Sequence, residues 1–345
     1  MNPNAITTNP SLRTFGWLVK REYWEHRNGF QRAPLIIAAV MIFIVIAAFI
    51  TADVTAHRHG INISGLNISQ LAEKMSPEAA EKFALGLDAG MLGMSAPIMV
   101  GLTFVMFFYL LGALYDDRRD RSVLFFKSLP ISDVSTVLSK VAAAVLLAPA
   151  IAVVACIALQ LSFLILTSIY ALLHGTNVLP LLWRPTHLFA IWFKLVLMIP
   201  LNALWALPSV GWLLLCSSFV RSKPFLVAVL LPLLVGAVIG WVNLMQSLSL
   251  PSSWYWRYIF GRIEFSLWPG SWLFSSFANN AINVSNSGND INIGMAKFDF
   301  VNAMVSFDNM LGVLASSELW IGAVAGVAMI AAAIHFRRSR TEAYS

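Results

Sequence analysis

Six stretches of the chain stay apolar for about the length that crosses a bilayer: residues 34–52, 96–115, 141–173, 188–219, 225–244 and 319–336. A helix of roughly 20 apolar residues spans the hydrocarbon, and inside it the backbone must satisfy its own hydrogen bonds. Composition agrees, at 58% hydrophobic and 12% charged with a mean hydropathy of +0.74, far from soluble usage. The expected fold class is an all-α integral membrane protein with six transmembrane helices.

The polar residues divide the chain further. Residues 1–33 are too long and too polar for a signal peptide and are expected to be retained. Within 12–30, Leu12, Phe15, Val19 and Tyr23 recur at helical spacing, with Arg13, Lys20, Arg21 and Arg27 placed elsewhere around the helix. That pattern predicts a basic amphipathic helix lying in the membrane interface, with Phe15, Trp17 and Trp24 toward the headgroups and Lys20 and Arg21 toward anionic lipid. Residues 34–336 form the six-span domain, with outer loops at 53–95 and 246–317, and residues 337–345 form a tail.

Individual segments carry finer expectations. Ser76-Pro77-Glu78 reads as a helix start, with a capping hydroxyl, a proline in the first turn and an acid at the positive helix end. The run 141–173 would be about 50 Å long as a helix and should project beyond the membrane on the side of the charged residues that precede it. The run 188–219 contains Lys194, Pro200, Asn202 and Pro208, so kinks are expected. Lys194 is either a functional intramembrane charge or a snorkelling residue. Arg221 and Lys223 make a tight turn into the fifth span. Residues 246–317 begin with an aromatic segment interrupted by charge and by Pro269-Gly270, read as interfacial or re-entrant helix. An Asn-rich surface stretch and an amphipathic segment at 295–314 follow.

Orientation follows from the basic residues. Roughly two-thirds of the 23 Lys and Arg lie on the side holding the N-terminus, residues 116–140, the 221–223 turn and the tail, which makes that side cytoplasmic. Both termini are then expected inside a bacterial cytoplasmic (inner) membrane. The net charge of +6 reflects this flanking pattern, and no nucleic-acid partner is implied.

The chemistry legible in the chain is sparse. Cys156 and Cys216 sit inside apolar runs without Cys or His at ligand spacing, and His57 and His59 lack a partner for a metal. No nucleophile with a base, no HExxH pair and no GxxxxGK[ST] loop occurs. The chain is not expected to be catalytic or to hold a metal or cofactor, and any ATP-driven role would need a separate motor.

The densest charge lies at 114–140. There the run Leu114-Tyr115-Asp116-Asp117-Arg118-Arg119-Asp120-Arg121-Ser122 leads to Lys127-Ser128-Leu129-Pro130-Ile131-Ser132 and closes with Ser139-Lys140. This segment resembles the loop between spans two and three of ABC-2 type transporter permeases, although Asp and Arg-Ser stand where the family pattern has Glu and Gly-Thr. The six-span architecture with a preceding amphipathic helix and a long fifth connection is similar too.

The resemblance implies a transmembrane permease subunit, two copies of which, as a homodimer, bind two ATPase subunits carrying ATP and Mg. It further implies export of an amphipathic or hydrophobic cargo. Asp116, Asp117, Arg118, Arg119, Asp120, Arg121, Lys127, Ser128, Leu129, Pro130, Ser132 and Lys140 would be the docking and coupling residues, and the N-terminal helix a second docking surface. The competing expectation is a non-transporting membrane scaffold or sensor with a ligand-binding outer loop.

Overall fold

The computed structural model describes residues 12–59, 76–120, 131–175, 182–183, 186–246, 254–272 and 306–342. Among these residues there is no strand. Six helices are long and apolar enough to cross a membrane: Asn28–Arg58, Pro77–Arg119, Asp133–Leu173, Leu188–Trp205, Pro224–Val242 and Ser317–Ser339. The expected all-α, six-helix character is therefore present.

Helix α1 (Leu12–Glu25) is shorter than the expected 12–30, and a wide turn at Asn28–Arg32 joins it to α2 (Ala33–Arg58). That turn lies close against the second span: a Cβ on Gly29 would sit 3.1 Å from Val105. Helix α2 also runs past residue 52. Residues 53–58, expected in an outer loop, are helical, and the hydroxyls of Thr51 and Thr55 donate to the carbonyls of Ala48 and Thr51 one turn back, at 2.9 and 2.7 Å, which meets their polar needs within the helix.

Helix α3 (Pro77–Met94) begins as expected, with Ser76 Oγ accepting from the Ala79 amide at 3.3 Å. It buries Asp88 and Met91, so this part of the expected outer loop is a packed element. Helix α4 (Ala96–Ala113) continues from it and is followed by the short α5 (Tyr115–Arg119).

Helix α6 (Asp133–Ala142) passes through a wide turn at Ala143–Leu147 into α7 (Ala148–Leu173). Pro149 sits in the first turn of α7, where its missing N–H and ring need the looser ladder that the wide turn supplies. The third run is thus part of a longer helical stretch, Asp133–Leu173, that begins within the charged segment. The fourth run breaks at Ala206 into α8 (Leu188–Trp205) and α9 (Leu207–Phe219), with Pro208 in the first turn of α9, while Pro200 stays inside α8.

Lys223 adopts φ 53° in the turn before α10 (Pro224–Gln246). Residues 254–272, including α11 (Gly261–Glu264), fold back onto α9 and α10. Tyr255 donates its hydroxyl to the Pro232 carbonyl at 2.6 Å, and Ser209 and Ser266 hydroxyls meet at 2.7 Å. The Asn-rich stretch lies outside the described residues. Of 295–314, the described part forms α12 (Phe307–Gly312), and α13 (Ser317–Glu342) carries the last span through most of the expected tail.

The core is built from one face each of several helices. Ile98, Leu102, Met106 and Leu110 of α4 are fully buried four residues apart, against Ala148, Ala152, Cys156 and Leu159 of α7 and Leu213 and Leu214 of α9. Helices α9 and α13 pack backbone to backbone. A Cβ on Gly211 would lie 2.5 Å from the Gly326 carbonyl oxygen, and one on Gly326 would strike the Leu207 backbone. In lipid, where burial gives helices little reason to associate, such backbone-to-backbone packing over small residues is what holds them together.

Candidate functional site

The charged residues singled out from sequence converge at one end of the bundle. Ser132 Oγ accepts from the Ser135 amide at 3.1 Å and starts α6. Residues 133, 137 and 140 then share a helical face, and this face turns inward: Val137 is fully buried and Lys140 is 1% exposed. Lys140 Nζ lies 3.3 Å from the Glu22 carboxylate of α1 and 3.5 Å from Asp117 Oδ1 of α5. Arg337 of α13 completes the set, with Nη1 3.0 Å from Asp117 Oδ2 and Nε 3.2 Å from Asp133 Oδ1.

Two further groups close the cluster. Arg21 donates to Glu22 at 2.6 Å and the Tyr109 hydroxyl donates to Glu22 at 2.9 Å. Burial pushes the Glu22 carboxyl up, but Lys140, Arg21 and the Tyr109 hydrogen bond together outweigh it and hold the group below its ordinary range. Glu22 is therefore an anion at neutral pH, although its side chain is wholly buried. Three acids and three bases alternate, so each charge of the cluster has a counter-charge. Desolvating such groups costs several kcal/mol per ion, which the mutual attraction offsets only while every partner is present.

Arg118 belongs to a neighbouring junction. Its guanidinium donates to the carbonyls of Ser217 at 2.5 Å and Val220 at 3.0 Å, at the end of α9. Ser217 Oγ in turn accepts from the amides of Leu114 and Tyr115, each at 2.9 Å, satisfying two donors that the start of α5 would otherwise leave orphaned. The last turn of α9 and the start of α5 thus cap one another.

The predicted site residues fall into three groups. Asp117, Arg118 and Lys140 are committed to contacts within the chain, and Ser132 caps α6. Asp116, Arg119 and Asp120 are exposed at the surface of the same end. Arg121, Lys127, Ser128, Leu129 and Pro130 lie outside the described residues.

On α1 the buried residues are Leu18 and Glu22, and the helix packs against α6. Phe15 is half-buried, while Trp17 and Trp24 are 58% and 57% exposed, with Lys20 and Arg27 lying over their rings. These two indoles face away from the bundle.

Sequence reasoning missed Glu22, Tyr109, Asp133 and Arg337 as parts of the cluster and Ser217 as part of the neighbouring junction. Locally Glu22 looks like Glu25, and Arg337 like the other basic residues of the tail. Glu22, Glu25 and His26 bring ligand atoms within 4.8 Å of one another, but a metal there would have to displace Lys140 and Arg21 from Glu22.

The opposite end is tied differently. Asp88 of α3 accepts from the His187 amide at 3.0 Å and pairs with its Nδ1 at 2.9 Å, while Asp53 of α2 pairs with His174 Nε2 at 2.9 Å. Gln160 of α7 donates to the Met91 carbonyl and Ser95 and accepts from Trp192. Between the ends, Lys194 is buried with Nζ 4.6 Å from the centre of the Phe307 ring. Its amino group is therefore covered by α12 and lies over an aromatic face.

Compared with protein-family models, curated proteins and solved structures, the chain has no match. Residue chemistry and geometry carry the functional reading.

Proposed function

We propose that the chain is the transmembrane permease subunit of an ATP-driven ABC-2 type transporter, exporting an amphipathic or hydrophobic cargo across a bacterial cytoplasmic membrane. The observation that carries this reading is the ion-pair cluster beneath the charged segment. Through Glu22, Asp117, Asp133, Lys140 and Arg337 it fastens α1, α5, α6 and α13 to one another, and Arg118 adds α9. A force applied to the exposed Asp116, Arg119 and Asp120 would move these helices as one body. Separate ATPase subunits, bringing ATP and Mg, would supply that force by binding two arrangements of the permease with different affinity. Two permease copies would enclose the path, and this chain itself would perform no catalysis.

The cluster dictates how docking is tested. Reversing Arg118 would unseat α9, so a loss of partner binding by that variant says little. Arg119→Glu combined with Asp120→Lys alters only exposed groups. The double variant is expected to insert and purify like the unaltered chain but to lose co-purification with the ATPase. Undiminished association would remove these residues from the docking surface, and the absence of any ATPase from purifications of the unaltered chain would sink the transporter reading.

A further inference from the structure

A cavity of about 330 Å³ opens where residues 254–272 fold back against the broken fourth run. It is lined by Trp205, Arg257, Gly261, Arg262, Phe265, Trp268 and Ser271. Its chemistry is aromatic wall plus cation. The Arg262 guanidinium stacks on the Trp205 ring at 3.5 Å from its centre, and Nη2 reaches the Glu318 carbonyl at 3.4 Å. Nη1 is buried and has no hydrogen-bond partner among the described residues. A guanidinium held by its face and one edge, with another edge unsatisfied, lacks an acceptor that a ligand can supply.

The residues lining the cavity include two cations and no acid. Burial lowers the Arg262 pKa to about 10, with Glu318 partly opposing the shift, so the group stays a cation at neutral pH. Glu264 stands two positions along the chain, a spacing that does not bring side chains together on a helix. Burial raises its carboxyl to about 7, which further weakens it as a counter-charge. Arg257 adds a second cation to the lining, lying 5.3 Å from the Tyr258 ring centre.

Position in the bundle narrows the ligand. Along α13, about 28 Å of helix separates Glu318, beside Arg262, from Arg337 in the ion-pair cluster. That distance is close to the roughly 30 Å of bilayer hydrocarbon, so the cavity lies near the boundary opposite the cluster, at the depth of lipid headgroups. Phosphate oxyanions meet acyl chains at this depth, and Trp and Phe beside Arg suit a molecule with both parts.

We propose that this cavity binds the phosphate head of an anionic, lipid-like amphiphile, with Arg262 and Arg257 on the oxyanion and Phe265 and Trp268 against its apolar portion. Binding needs no ATPase. Failure of the docking reading therefore leaves this site standing, and failure here leaves docking untouched.

The test is calorimetric titration of the purified full chain in an uncharged maltoside detergent. Three probes are compared: a single-chain lysophosphatidic acid, a phosphocholine of the same chain length, and inorganic phosphate. Lysophosphatidic acid should bind saturably and at least about ten-fold tighter than either other probe, and Arg262→Gln should weaken it by about ten-fold or more. Phe265 is 58% exposed, so Phe265→Ser should keep the fold, and it should weaken the same ligand by about three-fold.

An unchanged dissociation constant in Arg262→Gln with native helical circular dichroism would overturn the proposal. If that variant does not fold, unchanged binding in both Arg257→Gln and Phe265→Ser overturns it. Phosphocholine binding as tightly as lysophosphatidic acid refutes the requirement for a net anion. Inorganic phosphate binding as tightly refutes the amphiphile.

Discussion

The two ends of the bundle are fastened by opposite means. At the end holding Lys140, permanent charges of both signs are buried and paired across α1, α5, α6 and α13. At the end holding His174 and His187, carboxylates meet imidazoles, and both histidines neighbour solvent or half-buried groups. A buried pair of permanent ions resists being opened, because each partner left alone would be a charge in a low dielectric. An imidazole can lose its charge for little, since its ordinary pKa lies near neutrality. One end is thus built to stay together, and the other can be adjusted.

The strongest way to break this contrast is Lys140→Met. It strands Glu22 and Asp117 without their shared cation and should cost about 3–5 kcal/mol, read as a large drop in the thermal midpoint of the purified protein. Adding Glu22→Gln and Asp117→Asn should recover part of the loss. A lone Lys140→Met that melts like the unaltered chain would show that the cluster does not hold the helices. At the other end Asp88→Asn removes a charge from two hydrogen bonds to the half-solvated His187 and should cost only about 1–2 kcal/mol. Equal losses at the two ends would erase the distinction.

A smaller and sharper effect is expected from pH. The folded-state pKa of Glu22 is depressed, so its contribution is present above the ordinary carboxylate range and is lost only as pH falls through the lower folded value. His174 is shifted the other way: its bond to the Tyr170 carbonyl, then its bond to Asp53, raise its pKa. Its contribution is complete below the ordinary imidazole value and is lost as pH rises through the higher folded one. Melting followed from pH 6 to pH 9 should therefore show a slight alkaline decline that Asp53→Asn flattens, with no change from Glu22. A decline that persists unchanged in Asp53→Asn would remove that pair from the account.

Much of the architecture was legible in the chain, and particular residues show why. Ser76-Pro77-Glu78 starts α3 as its local chemistry predicts, and the apolar runs become helices long enough to cross a membrane. Both rest on interactions within one helix or on the length of a bilayer. Helix continues into residues expected in the outer loop and the tail, and Thr55 and Arg337 each have a way to stay polar inside it. Thr55 bonds one turn back; Arg337 finds Asp117 and Asp133.

Hydropathy and charge alone determined that this protein is helical, that about six of its helices are fit to cross a membrane, and that residues 114–140 are exceptional. Those conclusions need only the cost of unsatisfied backbone and charge in hydrocarbon. Only the tertiary structure decided which charges face inward. Glu22 and Lys140 are more than a hundred residues apart, and no local pattern distinguishes a carboxylate that will meet a lysine from one that will meet water. The close seat of Gly211 on Gly326 and the unsatisfied edge of Arg262 are of the same kind. Each exists because two distant segments arrive at one place, and the energy of a contact depends on that arrival.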